Sequence, residues 1–368
     1  SLPEHPFNPN LVDIDLQDGN LVLSISGKWK DTILFEVPLM AIISELYRKH
    51  NNIAPLSHIY GAAFGKGRTL SNNNCIFIEF GTRRRHSQLV QEIVVNALVN
   101  GKNDLFFGTS NMYIAHKYGL TAVGTMAHEL FSAYSGLYEV EAANRRVLED
   151  WYYLYGDSKS IALTDTFTTD FFLKTFDKDI AIKWTGLRQD SGCPFAWTDK
   201  VISYYESLAI NPKEKVAIYS DNLNIDKIVQ IKKHVNGRIR PIFAIGTNLS
   251  NDVGVPPMNM VIKLTQINGK NVCKISDDIG KATGNNQEIE RVNSIIDRGK
   301  YMKFKLPVEY SVCGTIEVEA DSLEDAINEF DQEYPGIDLK DIKDVEYIDG
   351  SFQLSTTDIE EIQIYNDL

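Results

Sequence analysis

The chain has 368 residues, of which 43% are hydrophobic, and its formal net charge is −13 at pH 7. A chain of this length and composition can bury a large core and predicts two or three domains. No run of residues is long and apolar enough to cross a membrane. Residues 1–6 carry neither the basic nor the apolar region of a signal peptide, so the sequence predicts a cytoplasmic protein.

The negative charge is concentrated at the end of the chain. Residues 301–368 contain 18 acidic and 4 basic side chains, a net charge of −14, which leaves residues 1–300 with a net charge of +1. Such asymmetry predicts separate modules and argues against nucleic-acid binding by the acidic one. We interpret residues 301–368 as an add-on module, joined to the rest through a linker at residues 286–300.

The first 100 residues predict a partial α+β domain. Alternating apolar and polar residues predict strands at 11–16 and 21–26, and a mostly apolar helix follows at 39–47. Residues 76–80 predict a further strand, which ends in a glycine and the three arginines at 83–85. Arginines at a strand end suit a multiply charged anion; a solvated basic turn is the alternative.

Residues 101–285 show one repeating pattern, in which a short apolar strand ends in a polar or glycine-bearing turn and a helix follows. Repeated βα units of this kind predict a parallel sheet, open or closed. Helices are predicted between the strands, for example at 130–155 and 197–208. The predicted strands are 105–107, 121–123, 161–163, 180–184, 216–219 and 241–245.

The polar turns all follow the carboxyl ends of predicted strands. In an α/β barrel those ends converge on the face that holds the active site. The residues expected there include arginines for phosphates, aspartates for Mg²⁺ or ribose hydroxyls, and small residues for close backbone approach. The pattern favours a phosphorylated substrate and gathers Arg83, Ser110, His128, Asp165, Arg188, Asp190, Ser191, Asp221, Gly246 and Thr247.

His128 lies in the segment 124–131, where a Gly-Thr turn leads into a helical pattern. The first turn of a helix offers free N–H groups and the positive end of the helix dipole, so it favours an anion. A histidine placed there can hold a phosphate or carry one covalently. From this segment alone, a buried structural histidine is the alternative.

Beyond the barrel, a hairpin is predicted around Asn268 and Gly269, between strands at 260–264 and 271–276. We interpret Lys263, Lys274 and Lys281 as a solvated basic face rather than as ligands. The acidic module predicts a small ββαββ-like α+β unit without a catalytic constellation. Its predicted elements are strands at 303–315 and 316–320, a helix at 321–330 and a hairpin around Asp349 and Gly350.

The turns and strand ends match a known family, in the same order, over about residues 8–285. The matching segments are GKWKDTILFEVPL from Gly27, EFGTRRR from Glu79, GTSN from Gly108, GTMAHE from Gly124, LTDTF from Leu163, GLRQDSG from Gly186, YSDNL from Tyr219 and FAIGTN from Phe243. Together they resemble nicotinate phosphoribosyltransferase. The resemblance implies an irregular parallel α/β barrel of the type II phosphoribosyltransferase kind, with the partial N-terminal domain and the C-terminal module beside it.

The resemblance also implies an activity in NAD biosynthesis. Nicotinate and phosphoribosyl pyrophosphate would give nicotinate mononucleotide and pyrophosphate, with Mg²⁺ as cofactor and ATP as co-substrate hydrolysed through a phosphohistidine. A homodimer with the active site near the subunit interface is expected. The alternatives are a nicotinamide or quinolinate phosphoribosyltransferase, or a non-catalytic half-enzyme that a partner polypeptide completes.

Site residues follow from the resemblance by position. His128 falls on the phosphorylated histidine, with Asp190 and Arg188 as further catalytic residues. Phe80 falls on an aromatic that stacks on the pyridine ring, and Arg83, like Arg188, falls near the nicotinate carboxylate and the ribosyl phosphates. Asp190, together with Asp165 and Asp221, falls near the ribose, the magnesium pyrophosphate or the ring. The remaining substrate-binding residues are Ser110, where nicotinamide enzymes have an aspartate, Ser191, and Ser220, Gly246 and Thr247 around the 5′-phosphate.

Three features depart from the family pattern. The family carries roughly another quarter of a chain before this start, including an Asp-x-x-Tyr-Lys segment that reaches a neighbouring subunit's site, so a separate N-terminal polypeptide enters the expectations as a partner. Cys193 stands where another aspartate is usual. The acidic module matches nothing in the family.

Overall fold

The computed structural model describes residues 8–49, 53–101, 103–258, 260–278 and 280–296, together with short segments of the acidic module. The chain divides into two compact units, residues 1–299 and residues 300–368. In the described part of the chain, no helix has the length and apolar character needed to cross a membrane.

The first unit opens with an antiparallel hairpin of β1 (Val12–Gln17) and β2 (Asn20–Ile25). Asp18 and Gly19 form its turn with φ values of 49° and 78°. Positive φ at both central positions matches the twist of a two-residue hairpin, and glycine adopts it without strain. Both strands predicted for this segment are present.

Three helices follow: α1 (Trp29–Thr32), α2 (Glu36–Arg48) and α3 (Leu56–Asn72). The sequence pattern did not predict α3, because its glycines are weak helix formers. Packing against the next helix, α4 (Gln88–Asn100), stabilises it. At Gly67 a β-carbon would lie 2.9 Å from a methyl group of Leu98, so this glycine permits the close approach of the two helices.

A seven-stranded sheet forms the centre of the unit, and every neighbouring pair of its strands is parallel. The strand order is β5-β4-β3-β9-β8-β7-β6, and the sheet curls into a half-barrel. This confirms the predicted fold class, a parallel α/β structure of the barrel type. The strands are β3 (Ile76–Glu79), β4 (Phe106–Thr109), β5 (Thr121–Ala122), β6 (Ile161–Leu163), β7 (Gly186–Gln189), β8 (Val216–Tyr219) and β9 (Arg240–Ile245).

Helices connect the strands, and several begin at a side-chain cap. Ser87, Asn111 and Asn224 each accept a hydrogen bond from a backbone N–H in the first turn of the helix that follows. Besides α4, the helices are α5 (Met112–Tyr118), α6 (His128–Leu137), α7 (Val140–Tyr155), α8 (Thr169–Thr175), α9 (Lys178–Lys183), α10 (Pro194–Ser207), α11 (Ile225–Val235) and α12 (Thr247–Ser250).

Two elements predicted between β3 and β9 are wrong. Residues 180–184, expected as a strand, lie largely in α9, which Asp177 caps by accepting from the N–H of Ile180; the strand is β7, so Arg188 lies in a strand and not in a turn. Residues 130–155 form two helices, because the backbone at Tyr138 is extended (φ −123°, ψ −172°) and ends α6 before α7 begins.

The two faces of the sheet carry different apolar layers. On one face, Trp197 meets Tyr219 edge-on at 5.7 Å between ring centres, and Tyr219 stacks on Phe243 at 5.6 Å. The other face carries a small cluster of Val216, Ile218 and Ala244, with Phe80 packed against it. Because successive residues of a strand point to opposite faces, β8 supplies both layers. The ring of Phe80 is therefore supported by apolar side chains of the sheet.

The unit ends with short strands and a helix: β10 (Gln266–Ile267), β11 (Lys270–Asn271), β12 (Cys273–Lys274), β13 (Thr283–Gly284) and α13 (Asn286–Ile295). The turn at Asn268 and Gly269 is present, but residues 260–264 form no strand. The sheet also crosses the division predicted at residue 100, since β3 lies in the middle of it.

In the acidic module the structure describes short strands that pair antiparallel from the outside inwards, β14 with β19, β15 with β18 and β16 with β17. The helix predicted at 321–330, the strand at 316–320 and the turn at Asp349 and Gly350 lie outside the described residues, apart from Ser322. The strands are β14 (Lys303–Lys305), β15 (Val308–Glu309), β16 (Val312–Thr315), β17 (Lys343–Tyr347), β18 (Gln353–Leu354) and β19 (Gln363–Tyr365).

Candidate active site

An open cavity of about 260 Å³ lies at the carboxyl ends of β3, β4, β5 and β7. Six predicted site residues line it: Phe80, Arg83, Ser110, His128, Arg188 and Asp190. The other residues that line it are Glu36, Val37, Thr82, Val123, Gly124, Thr125, Met126, Ala127, Glu129, Ile262 and Lys263.

Arg188 is held along its whole guanidinium group. Nε donates to Ser220 Oγ at 2.8 Å, and Nη1 donates to Thr125 Oγ1 at 2.7 Å and to the Met126 carbonyl at 2.9 Å. Nη2 lies 2.8 Å from Asp190 Oδ1. With 6% of the residue exposed, the charge of Arg188 is compensated inside the protein rather than by water. We call Arg188, Asp190, Ser220, Thr125 and His128 the Arg188 cluster.

Asp190 joins Arg188 to His128. Its Oδ1 accepts from the Ser220 hydroxyl at 2.6 Å, and its Oδ2 lies 3.0 Å from His128 Nε2. Burial alone raises the pKa of Asp190, but the Arg188 guanidinium and the hydrogen bonds from His128 and Ser220 outweigh burial and hold that pKa well below its usual range. Asp190 therefore carries a permanent negative charge at neutral pH.

His128 is the first residue of α6, and 7% of it is exposed. Since Nε2–H donates to Asp190, Nδ1 carries the lone pair and accepts from the Thr166 hydroxyl, 3.1 Å away. Burial lowers the pKa of His128, although Asp165 and Asp190 oppose the shift. The imidazole is therefore neutral at pH 7, which is the form in which a ring nitrogen can act as a nucleophile.

Asp165 lies behind His128 and does not line the cavity. Its Oδ2 accepts from the Ser191 hydroxyl and lies 3.6 Å from Lys274 Nζ. Its Oδ1 is 4.0 Å from His128 Nε2 and has no hydrogen-bond partner among the described residues. Two predicted site residues, Asp165 and Ser191, thus contact each other beneath the Arg188 cluster.

Phe80 provides a flat apolar surface in the cavity. The guanidinium carbon of Arg188 lies 5.9 Å from the centre of its ring. Arg83 stands nearer the opening, with 43% of its side chain exposed, and Nη1 donates to Glu36 Oε1 at 2.9 Å. A planar anion lying on Phe80 would have cationic groups within reach of its edge.

A second hydrogen-bonded group, which we call the Gln91 network, lies beside Phe80 and consists of Glu79, Gln91, Thr82 and Ser110. Gln91 Nε2 donates to Glu79 Oε2 and to Thr82 Oγ1, both at 2.9 Å. The Thr82 and Ser110 hydroxyls are 2.7 Å apart. Burial raises the pKa of Glu79, although hydrogen bonds from Thr109, Gly81 and Gln91 oppose the shift.

Six predicted site residues do not line the cavity: Asp165, Ser191 and Ser220, described above, and Asp221, Gly246 and Thr247. Asp221 follows β8, and Gly246 and Thr247 follow β9. Burial raises the pKa of Asp221, while Lys281 and Lys227 oppose the shift. These residues share the carboxyl edge of the sheet with Ser220, which reaches the cavity only through Arg188 and Asp190.

Comparison with known proteins agrees with this arrangement. The model of the nicotinate phosphoribosyltransferase family matches residues 75–300, a range that contains the whole seven-stranded sheet. The chain belongs to this family. It is 41% identical over 306 residues to a nicotinate phosphoribosyltransferase from Desulforapulum autotrophicum, which covers 81% of this chain and 79% of the relative, and 38% identical over 313 residues to one from Methanosarcina acetivorans (79% and 77%).

Solved structures of nicotinate phosphoribosyltransferases resemble this fold. The one from Porphyromonas gingivalis is 35% identical and has a TM-score of 0.78, covering 80% of this chain and 79% of its own. The one from Vibrio cholerae is 33% identical with a TM-score of 0.74, covering 80% and 74%. The chain is therefore a phosphoribosyltransferase by family and by fold.

Sequence reasoning about this family member missed several residues of the site. Lys263 lines the cavity, and Lys274 forms an ion pair with Asp165, so the expected solvated basic face is wrong for both. Burial and the nearby Arg83 lower the pKa of Lys263. Glu129, which accepts from Trp29 Nε1 at 2.7 Å, also lines the cavity. Its position one residue after His128 was the available signal.

Proposed function

We propose that this chain transfers the phosphoribosyl group of phosphoribosyl pyrophosphate to nicotinate, forming nicotinate mononucleotide and pyrophosphate in NAD biosynthesis, with ATP hydrolysis coupled through phosphorylated His128. The observation that carries the proposal is the cavity itself. It joins an aromatic surface, Phe80, to Arg188, Arg83 and Lys263, and it has a neutral, oriented histidine at its edge.

The ring and the charges suit nicotinate. The pyridine would stack on Phe80, and its carboxylate would receive charge-assisted hydrogen bonds from donors at the rim of the cavity. The transferred ribosyl group passes through a cationic state, which the permanent charge of Asp190 stabilises. Nicotinamide, one alternative substrate, would pair less strongly with the cations of the cavity because its carboxamide carries no charge; quinolinate is the alternative that also carries carboxylates.

The phosphate groups would meet the strand ends. Arg188 and Lys263 are cations that line the cavity, and Ser220, Gly246 and Thr247 follow the carboxyl ends of β8 and β9, where a 5′-phosphate would be bound. Asp221, at the same edge, is placed to accept from ribose hydroxyls. These roles rest on position at the carboxyl edge of the sheet.

Mg²⁺ is expected with the pyrophosphate. The described residues contain no group of three or more histidine, cysteine, aspartate or glutamate side chains that could hold a metal ion. Mg²⁺ commonly uses one or two carboxylates, substrate phosphates and water, so Asp221 and the free oxygen of Asp165 fit an ion that arrives with the substrate. Bound there, it would neutralise charge on the departing pyrophosphate.

His128 supports the coupling to ATP. A phosphohistidine forms when a neutral ring nitrogen attacks the γ-phosphorus and ADP leaves. Asp190 and Thr166 hold the ring in one orientation, and Asp190 can accept the proton that the imidazole loses. A phosphate on His128 would change the charge of the cavity, and so the affinity for an anionic substrate.

A homodimer is part of the proposal. Large apolar side chains are exposed on β1, β2 and α2, among them Leu16 (70% exposed), Ile14, Leu46 and Tyr47. The same helix lines the cavity through Val37 and Glu36. Contact between two copies through this face would bring the subunit interface close to the site; sedimentation analysis of the purified chain measures it.

The deciding experiment incubates the purified chain with phosphoribosyl pyrophosphate, Mg²⁺, ATP and either nicotinate or nicotinamide, and quantifies the mononucleotide formed. We expect nicotinate mononucleotide, faster with ATP than without it. If a mononucleotide formed with nicotinamide but not with nicotinate, the proposed substrate would be refuted.

The phosphohistidine is tested separately with γ-labelled ATP. The wild-type chain should take up an acid-labile label, and His128→Ala should lose the label and the stimulation by ATP while a slow transfer remains. His86→Asn, which changes a histidine outside the cavity, is the control and should be labelled like the wild type. Equal labelling of His128→Ala would rule out this role.

A further inference from the structure

We propose that Gln91 is a positioning residue that fixes the direction of the hydrogen bond between Ser110 and the substrate, so that the cavity selects a carboxylate over a carboxamide. The inference rests on the proposed function, because it concerns how nicotinate is held. Gln91 is fully buried and does not line the cavity, so it acts through Thr82 and Ser110.

The orientation of the Gln91 amide is determined by its neighbours. Oε1 accepts from Asn111 Nδ2 at 2.9 Å and from Arg85 Nη1 at 3.2 Å, while Nε2 faces the carboxylate of Glu79. The reversed amide would place its NH₂ against two donors and its oxygen against Glu79. Because Gln91 is fully buried, bulk solvent does not relieve either clash.

The direction of each later bond follows from this orientation. Both protons of Gln91 Nε2 are used, one for Glu79 and one for Thr82. Thr82 Oγ1 is therefore an acceptor towards Gln91. Ser110 Oγ, 2.7 Å away, is the other hydrogen-bond partner of the Thr82 hydroxyl among the described residues, so we assign the Thr82 proton to Ser110. Ser110 Oγ also faces the backbone N–H of Thr82 at 3.4 Å. Ser110 accepts from the protein, and its own proton remains for the ligand in the cavity.

The rest of the cavity offers the same polarity. Arg83, Arg188 and Lys263 are donors without acceptor capacity. The carboxylates that line the cavity already accept from protein groups: Glu36 from Arg83, Glu129 from Trp29 and Asp190 from Ser220. A carboxylate brings two acceptor oxygens to these donors. A carboxamide replaces one of these acceptor oxygens with an NH₂ group, which places a donor against the donors of the cavity, and such a mismatch is unfavourable.

The test is Thr82→Val, which keeps the shape of Thr82 but removes its proton, so that Ser110 can turn and accept from an amide. We expect the ratio of kcat/KM for nicotinate to that for nicotinamide to fall about tenfold, while the KM for phosphoribosyl pyrophosphate stays within twofold. Thr82→Ser retains the hydroxyl and should restore the ratio. In a Ser110→Ala background, Thr82→Val should change the ratio less than twofold.

Asn111→Asp gives a second measurement that does not depend on Thr82. The carboxylate keeps the oxygen that caps α5 but attracts the Gln91 NH₂, so the amide reverses and the ratio falls. A folded Thr82→Val or Asn111→Asp protein with the wild-type ratio overturns the inference alone. A wild-type chain that does not prefer nicotinate overturns the proposed function first.

Discussion

Asp190 and Glu79 lie with little solvent exposure at strand ends of the same sheet, yet burial has opposite outcomes for them. The pKa of Asp190 is held well below its usual range, and the pKa of Glu79 is raised. Asp190 contacts the Arg188 guanidinium at 2.8 Å. Glu79 receives hydrogen bonds only from neutral groups among the described residues: Thr109, Gly81 and Gln91.

The pKa of a buried carboxylate depends on whether its partner is a cation or a neutral donor. A cation in contact offsets the desolvation of a carboxylate, whereas neutral donors offset only part of it. The Arg188 cluster consequently presents fixed charge to the cavity. The Gln91 network contributes no such charge. Its neutral donors and acceptors instead determine the direction of each hydrogen bond, and so which way the Ser110 hydroxyl proton points.

Removing the cation should have the largest effect. Arg188→Ala leaves Asp190 without its compensating charge and is expected to lower the free energy of unfolding by about 3–5 kcal/mol, and phosphoribosyl transfer should be lost. Arg188→Lys keeps the charge but cannot make all four contacts, so its free energy of unfolding should lie between those of the wild type and Arg188→Ala. Urea denaturation measures the difference; an Arg188→Ala protein as stable as the wild type contradicts the assigned compensation.

Changing the neutral network should have a smaller effect. Glu79→Gln places an NH₂ group against donors and is expected to cost about 1–3 kcal/mol. Because the folded pKa of Glu79 lies above its ordinary value of 4.5, the folded state binds more protons than the unfolded state between these two pKa values. Wild-type stability therefore falls as pH rises through that range. Glu79→Gln lacks this contribution, so the gap between the two proteins should narrow as pH rises above 4.5. A gap that widens would reverse the sign we assign.

The histidine of the Arg188 cluster predicts a trend with the opposite sign. The folded pKa of His128 lies below its ordinary value of 6.5, so the unfolded state takes up the proton first and stability falls as pH drops below 6.5. The slope is at most about 1.4 kcal/mol per pH unit for one group. His128→Asn should remove this share. Burial also lowers the pKa of His86, and His86→Asn should remove a share of its own and leave that of His128.

The smallest change in the free energy of unfolding is expected for an exposed ion pair. Arg145 donates to Glu149 at 2.8 Å on the surface of α7, with about half of each side chain exposed. Glu149→Gln should change the free energy of unfolding by no more than about 0.5 kcal/mol, and added salt should shrink even that. A loss as large as that of Glu79→Gln would show that exposure does not separate these carboxylates.

Much of the architecture was predictable from local sequence. Six of the seven sheet strands lie close to the predicted positions, because short apolar runs that end in Gly or Asp turns are typical of buried parallel strands. The error at 180–184 has a local cause, since an apolar run of five residues suits a strand or a helix. The segment forms a helix because Asp177 caps it and because β7 (Gly186–Gln189) supplies the strand of this part of the sheet.

The sequence by itself determined the family, the parallel α/β class and the set of polar strand ends, since each depends on local order along the chain. Only the tertiary structure decided that β3 lies beside β9, that Lys263 enters the cavity and that Gln91 connects Glu79 to Thr82. These contacts join residues far apart in the chain or on different elements. Their polarity and pKa depend on burial and on neighbours, which no local pattern contains.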